Sequence, residues 1–400
     1  MSVMACTPIQ QLELEYERVM RISAEELDLE PAVYVHEGSE TLSQLREQLA
    51  LLPDIEELSP KCDIDSADVG ESGMSTPEDE RRLRGILKYH RAIFLGDGNA
   101  VPAPARGVTC DLDVGEANPV TQRPRSVAPH LSIQVYELLK KLLETRLIEH
   151  SESPWASPIV IVLKKNGVDI RMCVDYRIVN GFITLSNYPL PLIDDLLVGF
   201  EDVMWFMSLD MASGFWAIKM SERAKLISAF VCPFGHFQWT RMPFGLKNAP
   251  LIYQSAICLN PTDNQEYGGS CLNDEVKGLT DLMTVFQRNI PMPSHIGPVL
   301  GRSSYIDDIA HSAKTWDQLC EDLDTLLYRL RYWNISVSLP KSEFGKRSIP
   351  YLSHEISAEG VRAIPKVAKG VMDLPFPKSH KGVLSFLGSL NYYHNFIEDF

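Results

Sequence analysis

The chain has 400 residues, of which 45% are hydrophobic and 23% are charged, and its net charge is −15 at pH 7. That length is enough for two or three domains with cores of their own, and the composition is that of a globular protein. No stretch approaches the roughly 18 consecutive apolar residues that a membrane span requires. The first residues also lack the basic and apolar regions of a secretory signal, so the sequence predicts a protein that is neither secreted nor embedded in a membrane.

The eight cysteines are scattered along the chain without a CxxC pair. This spacing indicates neither a zinc site nor a redox motif. We therefore expect reduced thiols in an intracellular protein, in the cytoplasm or the nucleus.

The negative charge is concentrated at the N-terminus. Residues 1–80 contain 20 acidic and 4 basic residues, whereas residues 81–400 contain 33 acidic and 34 basic residues. The net charge therefore does not exclude a polyanionic partner for the larger part of the chain. Acidic, Ser/Pro/Gly-rich sequence predicts a largely disordered lead over 1–80, with one or two short helices near Leu12 to Met20. An extended linker, rich in glycine and proline, is predicted over 81–130.

The periodicity of residues 131–257 predicts alternating helices and strands. Leucines at helical spacing in 131–148 indicate an amphipathic helix. A β-branched run from Pro158 to Leu163, a Lys-Lys-Asn-Gly turn and a second run from Ile170 to Val174 predict a hairpin with a basic tip. Val203 to Asp210 is typical of a buried strand, and a further hairpin is expected around 233–235.

The pattern after residue 258 is less regular. Residues 259–302 show no clear periodicity, and a loop of that length in a compact domain is uncommon, so we interpret them as an insertion. From Thr315 a capping-box sequence begins a leucine-rich helix that continues through Leu330. Many hairpins among helices favour an α+β fold over a doubly wound parallel sheet.

The tetrapeptide Tyr305-Ile306-Asp307-Asp308 places two adjacent carboxylates at a predicted hairpin tip. The motif alone is equally compatible with an acidic turn and with a metal site. A third carboxylate, that of Asp210, ends a predicted strand 97 residues before Asp307. If these strands are neighbours, three acids meet at one edge of a sheet and can hold two Mg²⁺ ions for phosphoryl transfer.

An ordered series of motifs extends this interpretation over residues 105–400. The motifs are Ser153–Pro158, Arg171–Arg177, Tyr188–Pro191, Ser208–Asp210, Met242–Pro250, Tyr305–Asp308, Ser357–Gly360 and Phe386–Tyr393. With these motifs the chain resembles the reverse transcriptase of gypsy-type long-terminal-repeat retrotransposons.

The resemblance implies a right-hand polymerase fold with an antiparallel palm sheet. Residues 131–356 would form the fingers and palm, with 259–302 inserted, and 357–400 would begin a truncated thumb or connection. The implied activity is RNA-directed DNA polymerase, a nucleotidyltransferase that adds deoxynucleotides to a primer 3′-hydroxyl. Its partners would be an RNA or DNA template with its primer and deoxynucleoside triphosphates. The sequence does not indicate an oligomeric state.

The resemblance also implies roles for individual residues. Asp210 and Asp307 would bridge two Mg²⁺ ions, with Mn²⁺ as an alternative, and Asp308 would be the accompanying acid. Basic residues, Lys164 or Lys165 together with Arg171, would hold the triphosphate. The nucleotide pocket would be formed by Phe215, Phe244 and Gly245.

Some features leave alternatives open. Phe215, expected under the sugar, is equally a residue type of an ordinary core, and Gln254 is assigned near the template strand. Ile170 replaces an aromatic residue of the family pattern, and Glu355 places an acid in the segment expected to hold the primer. The alternative function is therefore that of a degenerate, catalytically inactive polymerase-like remnant that binds nucleic acid.

Overall fold

The computed structural model describes residues 6–22, 27–36, 49–51, 62–96, 101–166, 170–188, 190–200, 203–211, 214–257, 304–365, 369, 377 and 379–391. Within these ranges the helices are α1 (Pro8–Arg21), α2 (Pro77–Tyr89), α3 (Pro129–Glu144), α4 (Arg177–Phe182), α5 (Ile193–Leu196), α6 (Glu222–Ile227), α7 (Ala249–Ile257), α8 (Trp316–Trp333) and α9 (His380–Asn391). Single 3₁₀ turns lie at Ile64–Ser66, Arg91–Ile93 and Gly214–Ala217.

The strands in the same ranges alternate with these helices. They are β1 (Tyr34–His36), β2 (Leu49–Leu51), β3 (Asp68–Val69), β4 (Phe94–Leu95), β5 (Thr109–Cys110), β6 (Ile148–His150), β7 (Ser157–Leu163), β8 (Ile170–Asp175), β9 (Trp205–Met211), β10 (Lys219–Met220), β11 (Phe230–Cys232), β12 (Gly235–Trp239), β13 (Ser304–Tyr305), β14 (Asp308–Ala313), β15 (Val337–Lys346), β16 (Ser348–Tyr351), β17 (His354–Ser357) and β18 (Gly360–Ala363).

Seven strands form a sheet that we call the hairpin sheet. Its order is β2-β8-β7-β11-β12-β6, and β1 pairs with the second half of β7. The β7–β8 and β11–β12 hairpins are antiparallel, as the sequence predicts. Side chains of β7 are buried along almost its whole length, which explains its uninterrupted apolar run.

Six strands form a second sheet, the aspartate sheet, in the order β13-β14-β9-β15-β3, with β4 also paired to β15. Its central pairs, β14–β9 and β9–β15, are antiparallel. Helix α8 covers it with the fully buried Leu319, Leu323 and Leu327, which lie on one helical face. These two sheets, a parallel pair of β5 and β10, a three-stranded sheet in the order β16-β17-β18 and the helices form a mixed α/β fold.

The described part of the N-terminal lead is folded, so the prediction of a largely disordered segment over 1–80 is wrong for these residues. The helix predicted near Leu12 to Met20 is confirmed as α1. Helix α1 packs on α3: Leu12 is completely buried, and the Tyr16 ring lies 4.5 Å from that of Tyr136. Strands β1 and β2 extend the hairpin sheet, and β3 pairs with β15 in the aspartate sheet. The acidic residues are mostly exposed, and a few apolar positions supply the packing that an average over composition conceals.

The predicted linker over 81–130 also needs correction. Residues 81–89 complete α2, a helix that Thr76 begins with a capping box and that packs on α8. Beyond it the chain is largely extended but packed, since Ala105 donates a backbone hydrogen bond to Ala217 and Leu112 is completely buried. An extended segment whose backbone groups form hydrogen bonds with other parts of the fold belongs to a domain and is not a spacer.

Three expectations concern the remaining regions. The insertion at 259–302 lies outside the described residues. No helix in the described ranges is long and apolar enough to cross a membrane. The cysteines described, including Cys110, Cys173 and Cys232 in the core, are free thiols.

The packing of α2 generates a stability prediction. Leu87→Ala should lower the free energy of unfolding by about 2–4 kcal/mol, because it removes a fully buried leucine from the contact of α2 with the core. Urea denaturation measures the change, and Arg81→Ala, on the exposed face of the same helix, should stay within about 0.5 kcal/mol of wild type. Equal stability of the two variants would mean that this segment does not pack as described.

Candidate active site

Strand pairing brings the three predicted aspartates together. In the antiparallel β9–β14 pair, Asp308 lies directly opposite Asp210. Asp307 occupies the two-residue turn between β13 and β14, where Ile306 adopts a left-handed φ of 49°. The backbone N–H of Met211 donates to the Asp307 carbonyl at 2.7 Å, which ties the turn to the end of β9. One edge of the aspartate sheet therefore carries all three carboxyl groups.

The three carboxyl groups resist ionisation. Burial, and then the charges of Asp210 and Asp308, raises the pKa of Asp307 to about 7. Burial also raises the pKa of Asp210 to about 6, with a further contribution from Asp308, and it raises the pKa of Asp308. Like charges that lie close together with little solvent repel each other, so a cation bound beside the carboxylates would stabilise their ionised form.

A bulge in β15 brings one cation to the cluster. The register of β15 against β9 shifts between Ser338 and Glu343, and the displaced residues include Lys341 and Ser342. Lys341 Nζ lies 3.9 Å from Asp210 Oδ1, and its charge lowers the pKa of all three carboxyl groups. Ser342 Oγ accepts a hydrogen bond from the backbone N–H of Asp210. Pro340 lies in this stretch, and proline within a strand is typical of a bulge, so it is a signal that sequence reasoning missed.

The donor chemistry of the cluster fits a divalent cation. Carboxylate oxygens are the ligands that Mg²⁺ prefers. Among the described residues, Asp307 Oδ1 is buried and has no hydrogen-bond partner, which is costly for an acceptor unless a cation or donor satisfies it. The same residues contain no group of three side chains already arranged around a metal position. The carboxylates would therefore need side-chain adjustment to bind a metal together.

Gln254 fixes the backbone of the acidic turn. The completely buried side chain donates from Nε2 to the Ser304 carbonyl at 3.0 Å, and its Oε1 accepts from the N–H of Ile306. Both groups of one amide thus bind the backbone where β13 enters the turn, at Ser304 and Ile306. The resemblance assigned Gln254 to the template strand, and sequence reasoning missed this contact with the turn.

Aromatic rings line the space beside the carboxylates. Phe215 lies in the 3₁₀ turn that follows β9, and its ring centroid is 4.9 Å from that of Phe244 and 5.5 Å from that of Tyr253. Gly245 has a φ of 80°, a conformation that favours glycine, and its carbonyl accepts a hydrogen bond from Asn180. The structure therefore brings Phe215 and Phe244 together as neighbours and holds Gly245 in a defined turn.

The predicted triphosphate ligands lie in the other sheet. Lys164 and Lys165 follow β7 at the tip of the hairpin, and Arg171 lies in β8 opposite Val162. These cations thus belong to the hairpin sheet, whereas the aspartates belong to the aspartate sheet. The basic and acidic candidates come from separate sheets, so they do not form one contact cluster through strand pairing.

The acid at position 355 has a counter-ion. Glu355 and Arg362 face each other in the β17–β18 pair, and two hydrogen bonds of 2.8 and 3.1 Å join them. The arginine lowers the pKa of Glu355. The preceding turn has left-handed φ values at Leu352 and Ser353, 47° and 62°. The charge of Glu355 is therefore matched within its own sheet.

Residues 163–356 match the family described as reverse transcriptase (RNA-dependent DNA polymerase). The chain is 30% identical, over 73% of its length, to the retrovirus-related Pol polyprotein from transposon opus of Drosophila melanogaster, and 28% identical, over 80%, to that from transposon gypsy of the same species. It covers 26% and 28% of those two proteins, so it spans about a quarter of the length of these curated relatives.

Solved structures show a related fold. A foamy viral protease–reverse transcriptase in complex with double-stranded DNA gives a TM-score of 0.64 at 22% identity, covering 86% of this chain and 65% of that one. The foamy viral enzyme in complex with an RNA/DNA hybrid gives 0.60 at 21% identity, covering 84% and 39%. The mixed α/β fold is thus that of polymerase fingers and palm.

The raised pKa values generate a prediction for the metal-free protein. Between about pH 4 and pH 7 the folded state keeps protons on Asp307 and Asp210 that the unfolded state has lost, so these groups lower stability as pH rises. Asp307→Asn removes one of these groups. The free energy of unfolding of this variant, relative to that of wild type, should therefore rise as the pH is raised from 5 to 8. The gain is at most about 1.4 kcal/mol per pH unit for each carboxyl that titrates.

Urea denaturation across this pH range measures the effect. Asp195→Asn, at an exposed position on α5, is the control for replacing a carboxyl group outside the cluster. A difference between Asp307→Asn and wild type that stays constant with pH would contradict the raised pKa of Asp307.

Proposed function

Because residues 163–356 form a reverse transcriptase domain related to the Pol polyproteins of gypsy-type retrotransposons, we propose that this chain is an active RNA-directed DNA polymerase. As a nucleotidyltransferase, it would add deoxynucleotides to the 3′-hydroxyl of a primer. The observation that supports this most directly is the register that sets Asp308 opposite Asp210, with Asp307 in the adjoining turn.

In the proposed enzyme Asp210, Asp307 and Asp308 hold two Mg²⁺ ions, or Mn²⁺ in their place. Such ions, when bound, make the primer hydroxyl nucleophilic and neutralise charge on the phosphate. The protein contributes by holding its anionic groups in place before substrate arrives. Gln254 and Ser342 support this role, since both bind backbone beside the carboxylates.

The proposed nucleotide site would lie between the basic residues of the hairpin sheet and the carboxylates of the aspartate sheet. Lys164 or Lys165, with Arg171, would bind the triphosphate through charge-assisted hydrogen bonds. Phe215, Phe244 and Gly245 would surround the sugar and the base. The role of Phe215 is supported by its position in the turn directly after β9, where its ring packs against the rings of Phe244 and Tyr253.

The proposed partner is a template–primer duplex. The related foamy viral enzymes were solved in complex with double-stranded DNA and with an RNA/DNA hybrid. Binding would depend on salt and little on base sequence, because it would use backbone phosphates and duplex shape. Residues 357–400, which include β18 and α9, would begin the thumb or connection, and the Glu355–Arg362 pair would limit repulsion of primer phosphates. The free thiols support an intracellular setting.

The competing proposal is a catalytically inactive remnant that binds nucleic acid. It is favoured by the lack, among the described residues, of three side chains already arranged around a metal position. A second feature that favours the remnant is Ser353, a non-glycine residue that adopts a strained positive φ in the segment expected to hold the primer.

Primer extension separates these two proposals. Asp307→Asn combined with Asp308→Asn should reduce extension of a DNA primer on an RNA template with Mg²⁺ by about a thousandfold or more, since it removes several kcal/mol of charge stabilisation. Glu359→Gln, an exposed acid in the turn between β17 and β18, is the control and should extend normally. Equal extension by wild type and the double variant would exclude the metal assignment, and no extension by wild type would favour the remnant.

The role proposed for Phe215 has its own test. Phe215→Val should raise ribonucleotide incorporation relative to deoxyribonucleotide incorporation by about tenfold or more, because it removes the ring expected to block a 2′-hydroxyl. Phe215→Tyr keeps the ring and is the matched control. Competition assays with ribo- and deoxyribonucleoside triphosphates measure the ratio, and an unchanged ratio in both variants would make Phe215 an ordinary core residue.

A further inference from the structure

Two buried oxygen atoms without partners border the same small space. Among the described residues neither Tyr253 Oη nor Asp307 Oδ1 has a hydrogen-bond partner, although both atoms are buried. A Cβ atom at Gly214 would overlap Tyr253 Oη and would lie 2.7 Å from Asp307 Oδ1. Glycine at position 214 therefore leaves room for the Tyr253 and Asp307 oxygen atoms to approach each other.

The two atoms are chemically complementary. An ionised carboxylate oxygen accepts hydrogen bonds only, and a phenol can donate one. A phenol is protonated at neutral pH, so the Tyr253 hydroxyl has a proton to donate. Leaving both atoms unpaired in a buried site would cost the desolvation of each.

The rest of Tyr253 is held firmly. The residue is 1% exposed, and its ring meets Phe215 edge to face at 5.5 Å. The next residue, Gln254, attaches the same helix to the acidic turn through two hydrogen bonds. Helix α7 and the turn that carries Asp307 are thus fixed to each other, and the phenol cannot swing away without unpacking the core.

We propose that Tyr253 is a positioning residue whose hydroxyl donates a hydrogen bond to Asp307 Oδ1 in the cation-loaded site. This inference rests on the proposed function. The hydrogen bond leaves Asp307 Oδ2 for the cation and prevents rotation of the carboxyl group. Through its ring the same residue supports Phe215, so one side chain links the sugar pocket to the carboxylates.

The test compares Mn²⁺ binding by wild type and Tyr253→Phe, measured by electron paramagnetic resonance on the full chain without primer or nucleotide. The variant keeps the ring and its contact with Phe215, so it should fold. Its dissociation constant for Mn²⁺ should rise about tenfold, the effect of one charge-assisted hydrogen bond to a metal ligand. In primer extension the half-saturating Mn²⁺ concentration should rise by a similar factor, with the KM for nucleotide unchanged.

Tyr176→Phe is the matched control. Its hydroxyl is equally buried and donates to the Ser228 carbonyl at 2.6 Å, so the variant loses a hydrogen bond outside the cluster. It should melt at a lower temperature than wild type but bind Mn²⁺ with unchanged affinity.

The outcomes distinguish the inference from the proposed function. If Tyr253→Phe binds Mn²⁺ as tightly as wild type and melts at a higher temperature, the hydroxyl is only an unsatisfied buried group and the inference is wrong. A wild type that binds no Mn²⁺ and extends no primer overturns the proposed function, and the inference with it. Weaker binding confined to Tyr253→Phe supports both.

Discussion

The pairing register of β9 with β14 is the constraint around which the site is built. It sets Asp308 opposite Asp210 and leaves Asp307 in the turn, an arrangement that electrostatics alone opposes. A slip of one residue would turn Asp308 to the other face of the sheet, because side chains alternate along a strand. The register is secured by contacts outside the pair: the Gln254 amide on the turn, and Ser342 on the backbone of Asp210. The clustered carboxyl groups are thus a consequence of backbone pairing that the surrounding polar side chains maintain.

Much of this site follows from local sequence, and the rest does not. The basic hairpin, the strand that ends at Asp210 and the acidic turn are each encoded in a few adjacent residues, so period and turn chemistry predict them. Lys341 reaches Asp210 only through a bulge that depends on pairing with a distant strand. Tyr253 and Gln254 meet the turn about fifty residues further on, across a segment without periodicity. Contacts of that range depend on tertiary packing, which no local pattern contains.

The N-terminal segment shows how composition can mislead. The 20 acidic residues of 1–80 predict disorder when they are averaged, yet Leu12 in α1 is completely buried. Leu83 and Leu87, one turn apart in α2, are also completely buried, and α2 begins within this segment at Pro77. Capping boxes at Thr7 and Thr76 begin the two helices that carry these leucines. A helix needs only one apolar face to dock, so the charges on its other faces do not oppose folding. Glu355 is a second case in which a residue type alone misleads. The sequence places an acid in the segment expected to hold the primer, but in the structure its charge is paired with that of Arg362 on the neighbouring strand.

The pairing of β3 and β4 with β15 has a consequence for synthesis of the chain. Asp68 in β3 pairs with Glu343, and Phe94 in β4 pairs with Val337. The ribosome therefore makes β15, the partner of both strands, some 250 residues later. At ribosomal speeds of about 5–20 residues per second, the early strands wait on the order of ten to fifty seconds for β15. During that interval their unpaired edges are available to other chains. Contacts of such high sequence separation also favour slow folding, so this sheet depends on protection of the nascent chain more than a local hairpin does.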